Sequence, residues 1–164
     1  MGLFDKLKKA VGKTGVELAY TWIEDPLTFT DPMVKATVTV TSSSGSITVL
    51  GTTTTLIAKR KDEDEDDEEL VLGTVSEEAD EYSTTERNGE SVPVFPHTLE
   101  EGDSEGYGIF LDDLDLPSSL EPWGASDAES AQAKGIEFFL KTEVDVKETN
   151  FMFDPTIEQK IEVC

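Results

Sequence analysis

Two-residue alternation constrains this chain more than any other feature. From Ile136 to Val146 it reads Ile-Glu-Phe-Phe-Leu-Lys-Thr-Glu-Val-Asp-Val, with apolar or Thr side chains at every second position and mostly charged ones between. Successive side chains of a strand point to opposite faces, so such a segment has one face in a core and one in water. Val34, Ala36, Val38 and Val40 repeat the period against Lys35, Thr37, Thr39 and Thr41. The pattern predicts an all-β antiparallel sandwich, and nothing on these strands assembles a recognisable catalytic set.

The chain has 164 residues, enough for one domain that buries roughly 70% of its unfolded surface. Its single cysteine, Cys164, rules out an intrachain disulfide, as in cytoplasmic proteins. No stretch approaches the roughly 18 consecutive apolar residues of a membrane span, and no signal-peptide core follows Met1. A cytoplasmic location is expected, with the inner face of the membrane as the variant. The 36 acidic and 13 basic residues give a formal net charge of -23. Nucleic-acid binding rests on Lys and Arg neutralising phosphates, so nucleic acid is not an expected partner. The acidity has two readings: halophilic adaptation, in which carboxylates hold water and counterions, or one functional acidic patch.

Four lysines lie near the start: Lys6, Lys8, Lys9 and Lys13. On a helix, Leu3, Phe4, Leu7, Ala10 and Val11 form an apolar stripe with lysines over most of the remainder. Residues 1–14 are therefore expected as a short amphipathic basic helix, with Leu3, Phe4, Leu7, Lys8 and Val11 as contact residues. It suits a membrane interface or a partner's groove, or packing against the sandwich's own end. Residues 15–164 are expected as the single sandwich domain. Its strands are read at Val16 to Trp22, at Val34 to Val40 and at Ile47 to Ala58, where Gly51 permits a bulge. Further strands are read at Leu70 to Val75, Tyr107 to Leu111, Ile136 to Val146 and Ile157 to Val163. Asn88-Gly89 marks a tight hairpin, and residues 117–134 read as a long surface loop with a helical turn at Asp127 to Lys134.

Residues 62–69 are eight consecutive carboxylates, expected as a solvated acidic loop because like charges repel. Asp62, Asp64 and Asp66 occupy the first, third and fifth places of an EF-hand pattern. Asp67 then stands where that pattern has Gly, and Gly73 where it has Glu. Asp112, Asp113 and Asp115 form a second weak cluster. No specific metal site and no cofactor is expected from either. His97 is the sole histidine and is read as a turn residue between Pro96 and Thr98. No phosphate loop, nucleophile elbow or paired-cysteine motif is present, so no catalytic residue is assigned and an enzyme is not expected.

The order of features resembles a family. Met1-Gly-Leu-Phe-Asp-Lys-Leu-Lys-Lys9 leads to the Val16 to Trp22 strand, then to Val34-Lys-Ala-Thr-Val-Thr-Val40 and a Thr-rich strand ending in Lys59-Arg60-Lys61. Near the end come Leu140-Lys-Thr-Glu-Val-Asp-Val-Lys147, Asp154-Pro155 and Ile161-Glu-Val163. This is similar to the amino-terminal lobe of the bacterial and archaeal sporulation-control proteins, relatives of arrestins, over Leu3 to Val163. The resemblance implies an immunoglobulin-like, arrestin-like antiparallel sandwich acting as a non-catalytic regulator or adaptor, often with a second similar lobe. Protein partners are expected, with self-assembly into a homo-oligomer or filament as one alternative and a peripheral membrane scaffold as the other. Exposed edge strands offer strand addition, and the acidic surface offers steering of basic partners.

Overall fold

The structure is a computed structural model and describes residues 10–11, 15–24, 26–61, 67–79, 83–148 and 154–164. It is built almost wholly from antiparallel strands. Sheet one has the order β1 (Ala10–Val11), β2 (Val16–Ile23), β3 (Val34–Ser42), β9 (Ser104–Leu111). Sheet two has the order β11 (Thr156–Ile161), β10 (Glu137–Val146), β4 (Ile47–Lys61), β5 (Asp67–Glu78), and the short β8 (His97–Leu99) pairs with the first residues of β4. A separate hairpin joins β6 (Thr84–Arg87) to β7 (Glu90–Pro93) through Asn88-Gly89, both at positive φ, as a tight two-residue turn requires.

The alternation seen in the sequence is the alternation of burial. Along β3 every second residue from Val34 to Val40 is buried, and along β10 so are Phe138, Leu140, Thr142, Val144 and Val146. The two inner faces meet in one core with Leu18, Tyr20, Leu56, Tyr107 and Ile157. One hydroxyl contact crosses between the sheets and a second extends it within sheet two. Tyr20 of β2 donates to Thr142 of β10 at 2.6 Å, and Thr142 bonds Thr54 of β4 at 2.9 Å. Burial pushes the Tyr20 phenol far above its ordinary range, so it stays a neutral donor.

Gly51 is where the β4 register shifts against β10, as the sequence predicted. A Cβ there would lie 2.5 Å from the Glu77 carbonyl oxygen, so the close approach of β5 demands glycine. A second shift falls at Leu56/Ile57 against β5 and was not foreseen.

Several expectations are corrected. Of the expected helix 1–14, Ala10 and Val11 form strand β1, paired with Leu18 and Glu17 of β2. A ladder on an existing strand satisfies their backbone groups without the nucleation cost of an isolated short helix. Leu3, Phe4, Leu7 and Lys8 lie outside the described residues. The acidic run does not remain a loop to its end, because Asp67, Glu68 and Glu69 begin β5 opposite Lys61, Arg60 and Lys59. Opposite charges directly across a ladder relieve the repulsion that would keep the run extended in solvent. Asp62, Asp64 and Asp66 lie outside the described residues.

Residues 117–134 are not a surface loop throughout, and the helical turn expected at Asp127 to Lys134 is present. Helix α1 (Leu116–Leu120), a 3-10 turn (Glu121–Trp123) and helix α2 (Ala128–Ala133) bury Leu116, Leu120, Trp123, Ala125 and Ala131 against the core. Asp115 caps α1 by accepting from the Ser118 amide, and Asp127 with Ser130 forms a capping box on α2. Arg60 stacks over Trp123 at 4.8 Å, tying this segment to β4. His97 belongs to β8 rather than to a turn.

Candidate interaction surface

The outer faces of the two sheets are chemically different. On sheet two the solvent-facing positions carry ion pairs at one end, beside hydroxyl rows of Thr53 with Ser76 and Thr55 with Thr74. Lys59 contacts Glu158 of β11 and lies 3.5 Å from Glu69 of β5, while its ammonium sits 4.5 Å from the Phe139 ring centroid. Lys160 pairs with Glu137 at 2.7 Å, whereas Arg60, turned to the Trp123 side of β4, donates twice to one Glu68 oxygen. The carboxylate of Glu158 raises the Lys59 pKa above its ordinary value, and Glu137 does the same for Lys160. Farther along this face the balance fails. Partial burial, with Asp154 and Glu78 nearby, pushes the Asp145 carboxyl above its usual range.

The outer face of sheet one carries few charges. Its positions on β2 are Glu17, Ala19, Thr21 and Trp22; on β3, Lys35, Thr37, Thr39 and Thr41; on β9, Ser104, Gly106, Gly108 and Phe110. Only Glu17 and Lys35 are ionisable. Threonine and serine hydroxyls bond along the rows, Thr21 to Thr39 at 2.9 Å and Thr41 to Ser104 at 2.7 Å.

Two aromatic rings stand on this floor. The β2 register shifts between Tyr20 and Trp22, so Thr21 and Trp22 both face outward and Trp22 is 51% exposed opposite Thr37. Such a bulge re-aims a side chain. Phe110 is 46% exposed, faces Lys35 in the β3 ladder, and holds its ammonium 5.9 Å from the ring centroid. Between the rings lie Thr37 and Gly108, and a side chain at Gly108 would meet open space. The floor is thus lowest where the rings flank it. An exposed aromatic pair on a nearly uncharged face is the composition of an interface centre rather than of ordinary surface. Among the described residues β9 also ends its ladder, which leaves a backbone edge beside Phe110.

A polar cluster closes the opposite side of β9. His97 Nδ1 and the Tyr107 hydroxyl share a hydrogen bond of 3.1 Å, and Glu105 lies 3.7 Å from His97 and 3.9 Å from Arg87. Arg87 donates to the carbonyls of Pro93 and Val94 and so fastens the β6–β7 hairpin. Phe95 stacks on Tyr107 at 4.9 Å. Burial, followed by the Arg87 guanidinium, lowers the His97 pKa. The His97–Tyr107 bond joins β8 to β9.

The weak metal candidates Asp112, Asp113 and Asp115 are not gathered. Asp115 uses both carboxylate oxygens on Ser118. Among the described residues no group of three or more His, Cys, Asp or Glu side chains converges as a metal ion requires, and no helix is long and apolar enough to cross a membrane. Sequence reasoning named the first helix as the contact element and passed over Trp22 and Phe110. The sequence carried no signal for Trp22, which continues the alternation of Val16, Leu18 and Tyr20 and is turned outward only by the register shift.

Together these features define an arrestin-like all-β sandwich, at the level of fold. Among solved structures the chain is similar to Spo0M, a sporulation control protein from Bacillus subtilis, with a TM-score of 0.58, 13% identity and 91% of this chain covered. The match takes in 49% of the Spo0M chain, so the present chain spans about half the length of that protein. No protein-family model and no curated protein matches the sequence.

Proposed function

We propose that the protein is a non-enzymatic regulatory adaptor that acts by protein contact, in the manner the sporulation-control likeness suggests. The observation that carries this reading is the outer face of sheet one, where Trp22 and Phe110 flank a hydroxyl and glycine floor on a chain of net charge -23. Burying a carboxylate in an interface costs free energy unless it is paired. A face with a single carboxylate, Glu17, among its described strand positions is therefore the part of this molecule a partner covers at least cost. The β9 edge beside it offers backbone groups to an extended segment. The acidic remainder of the surface governs approach and orientation more than affinity. The protein works in the cytoplasm, without cofactor and without nucleic acid.

The test is affinity capture of the tagged protein from its own cells at matching salt, alongside a Trp22→Ala/Phe110→Ala variant. A foreign protein recovered at a near-integer ratio with the natural chain and lost with the variant supports the adaptor reading. Recovery that ignores the two rings contradicts it.

A further inference from the structure

We infer that the outer face of sheet one closes on a second copy of this chain, the two related by a twofold axis that lies in the interface and runs across the strands. The inference rests on the reading of this face as a contact surface and names its occupant. Three features of the face select a second copy.

The first is shape. Rings occupy one end of the face, Trp22 opposite Thr37 and Phe110 opposite Lys35. Small side chains occupy the other, Ala19 opposite Thr39 and Ser104 opposite Thr41. A twofold axis between the Thr37 and Thr39 rows reverses the strand direction and keeps each strand over its own counterpart. It sets Trp22 of one copy over Ala19 of the other, and Phe110 over Ser104. Large residues then meet small ones at both ends, as an isologous interface requires.

The second is charge. Lys35 lies at the ring end and Glu17, opposite Thr41, at the other end. The same axis brings each lysine towards the partner copy's glutamate. The third is the charge of the whole chain. A basic partner is drawn to the carboxylates that cover other surfaces, whereas two chains of formal charge -23 repel everywhere and least where carboxylates are few.

Three strands at about 4.8 Å spacing and about 3.4 Å per residue give a face on the order of 400 Å2 per copy. That is below the standard interface, so the dimer is weak and reversible. It also has a distinctive salt dependence. The Debye length falls from about 30 Å at 0.01 M to about 3 Å at 1 M, so potassium chloride strengthens this association, whereas it weakens binding to a basic partner.

Sedimentation equilibrium of the purified protein over a concentration series, at low and at molar potassium chloride, tests the inference. A monomer–dimer equilibrium tightened at least tenfold by salt is expected. Gly108→Glu places a carboxylate beside the axis, in open space and without positive φ, and weakens the dimer at least tenfold, while Gly108→Ser leaves it within about threefold. Trp22→Ser, at an exposed position, provides an independent second loss. A chain that stays monomeric in molar salt overturns the inference, as does a dimer indifferent to both Gly108→Glu and Trp22→Ser. If the chain is monomeric and Gly108→Glu instead abolishes capture of a foreign protein, self-association fails while the adaptor reading stands.

Discussion

The two outer faces of this sandwich solve the same problem in opposite ways. Both belong to antiparallel sheets whose inner faces are apolar, and both must keep their solvent side from uncontrolled association. Sheet two does so with charge, setting Lys59 among Glu69, Glu158 and Phe139, and Lys160 against Glu137. Sheet one leaves a floor of Thr, Ser and Gly with Trp22 and Phe110 upon it. On a chain this acidic, a face with one carboxylate, Glu17, among its described strand positions is the unusual one. Exposed apolar residues are not by themselves the distinction, since Val71 on sheet two is 64% exposed, but Val71 stands on the charged face beside the Lys59 to Glu69 row.

The largest expected effect lies on neither outer face. Leu140 has no exposed surface, and Leu140→Ala should cost about 2–5 kcal/mol of stability by denaturant unfolding. An outer-face substitution with a comparable cost would break the separation of core from contact surface. Next comes the hydroxyl chain that crosses between the sheets. Tyr20→Phe removes the donor to Thr142 and leaves Thr142 paired with Thr54, for an expected loss of about 1 kcal/mol.

The charged face gives a smaller effect that salt identifies. Lys59→Glu sets a carboxylate among Glu69 and Glu158. It should lower stability by about 1 kcal/mol at low ionic strength, a difference that shrinks as salt screens the pair. A loss unchanged by salt would point to lost packing of the lysine stem on Phe139 instead. Trp22→Ala and Phe110→Ala should each leave stability within about 0.5 kcal/mol, as exposed positions do, yet remove association. The two faces are then told apart: one is read out in unfolding, the other in binding.

The smallest expected effect concerns pH. His97 faces Arg87, Glu105, Asp103 and Tyr107, and burial with the Arg87 charge lowers its folded-state pKa. The unfolded chain therefore binds the proton more readily. The contribution is fully present above the unfolded value of about 6.5 and is lost as pH falls through it. In unfolding experiments between about pH 7.5 and 5, His97→Gln should lose less stability on acidification than the natural chain. Equal slopes would show that the cluster does not titrate as placed.

Much of the fold was legible in the sequence, because a half-buried strand writes its period directly. Val34 to Val40 and Ile136 to Val146 are strands with the faces their alternation assigned, and Gly51 and Asn88-Gly89 mark a bulge and a turn where glycine chemistry put them. Where the period is weak, local reading failed. Leu116, Leu120 and Trp123 stand among Ser, Pro and Glu, and only packing on the sandwich, with α1 against β5, makes their segment a buried cap. The acidic run was misread at its end because its neutralising partners, Lys59 to Lys61, are assigned to it by strand pairing rather than by adjacency. The contact face was hidden for a similar reason. Trp22, Lys35, Thr37, Gly108 and Phe110 come from three strands, and only their register makes them one surface.

The central claim is that Trp22 marks the surface this protein uses, and the two tryptophans allow it to be tested without a label. Trp22 is 51% exposed and Trp123 is 6% exposed, so a neutral quencher such as acrylamide reports chiefly on Trp22. Quenching would be measured in molar potassium chloride as protein concentration rises, and again with any captured partner present. The account predicts that quenching falls and emission shifts to the blue as complexes form. Complexes that form while Trp22 stays as accessible as in the dilute chain would contradict it.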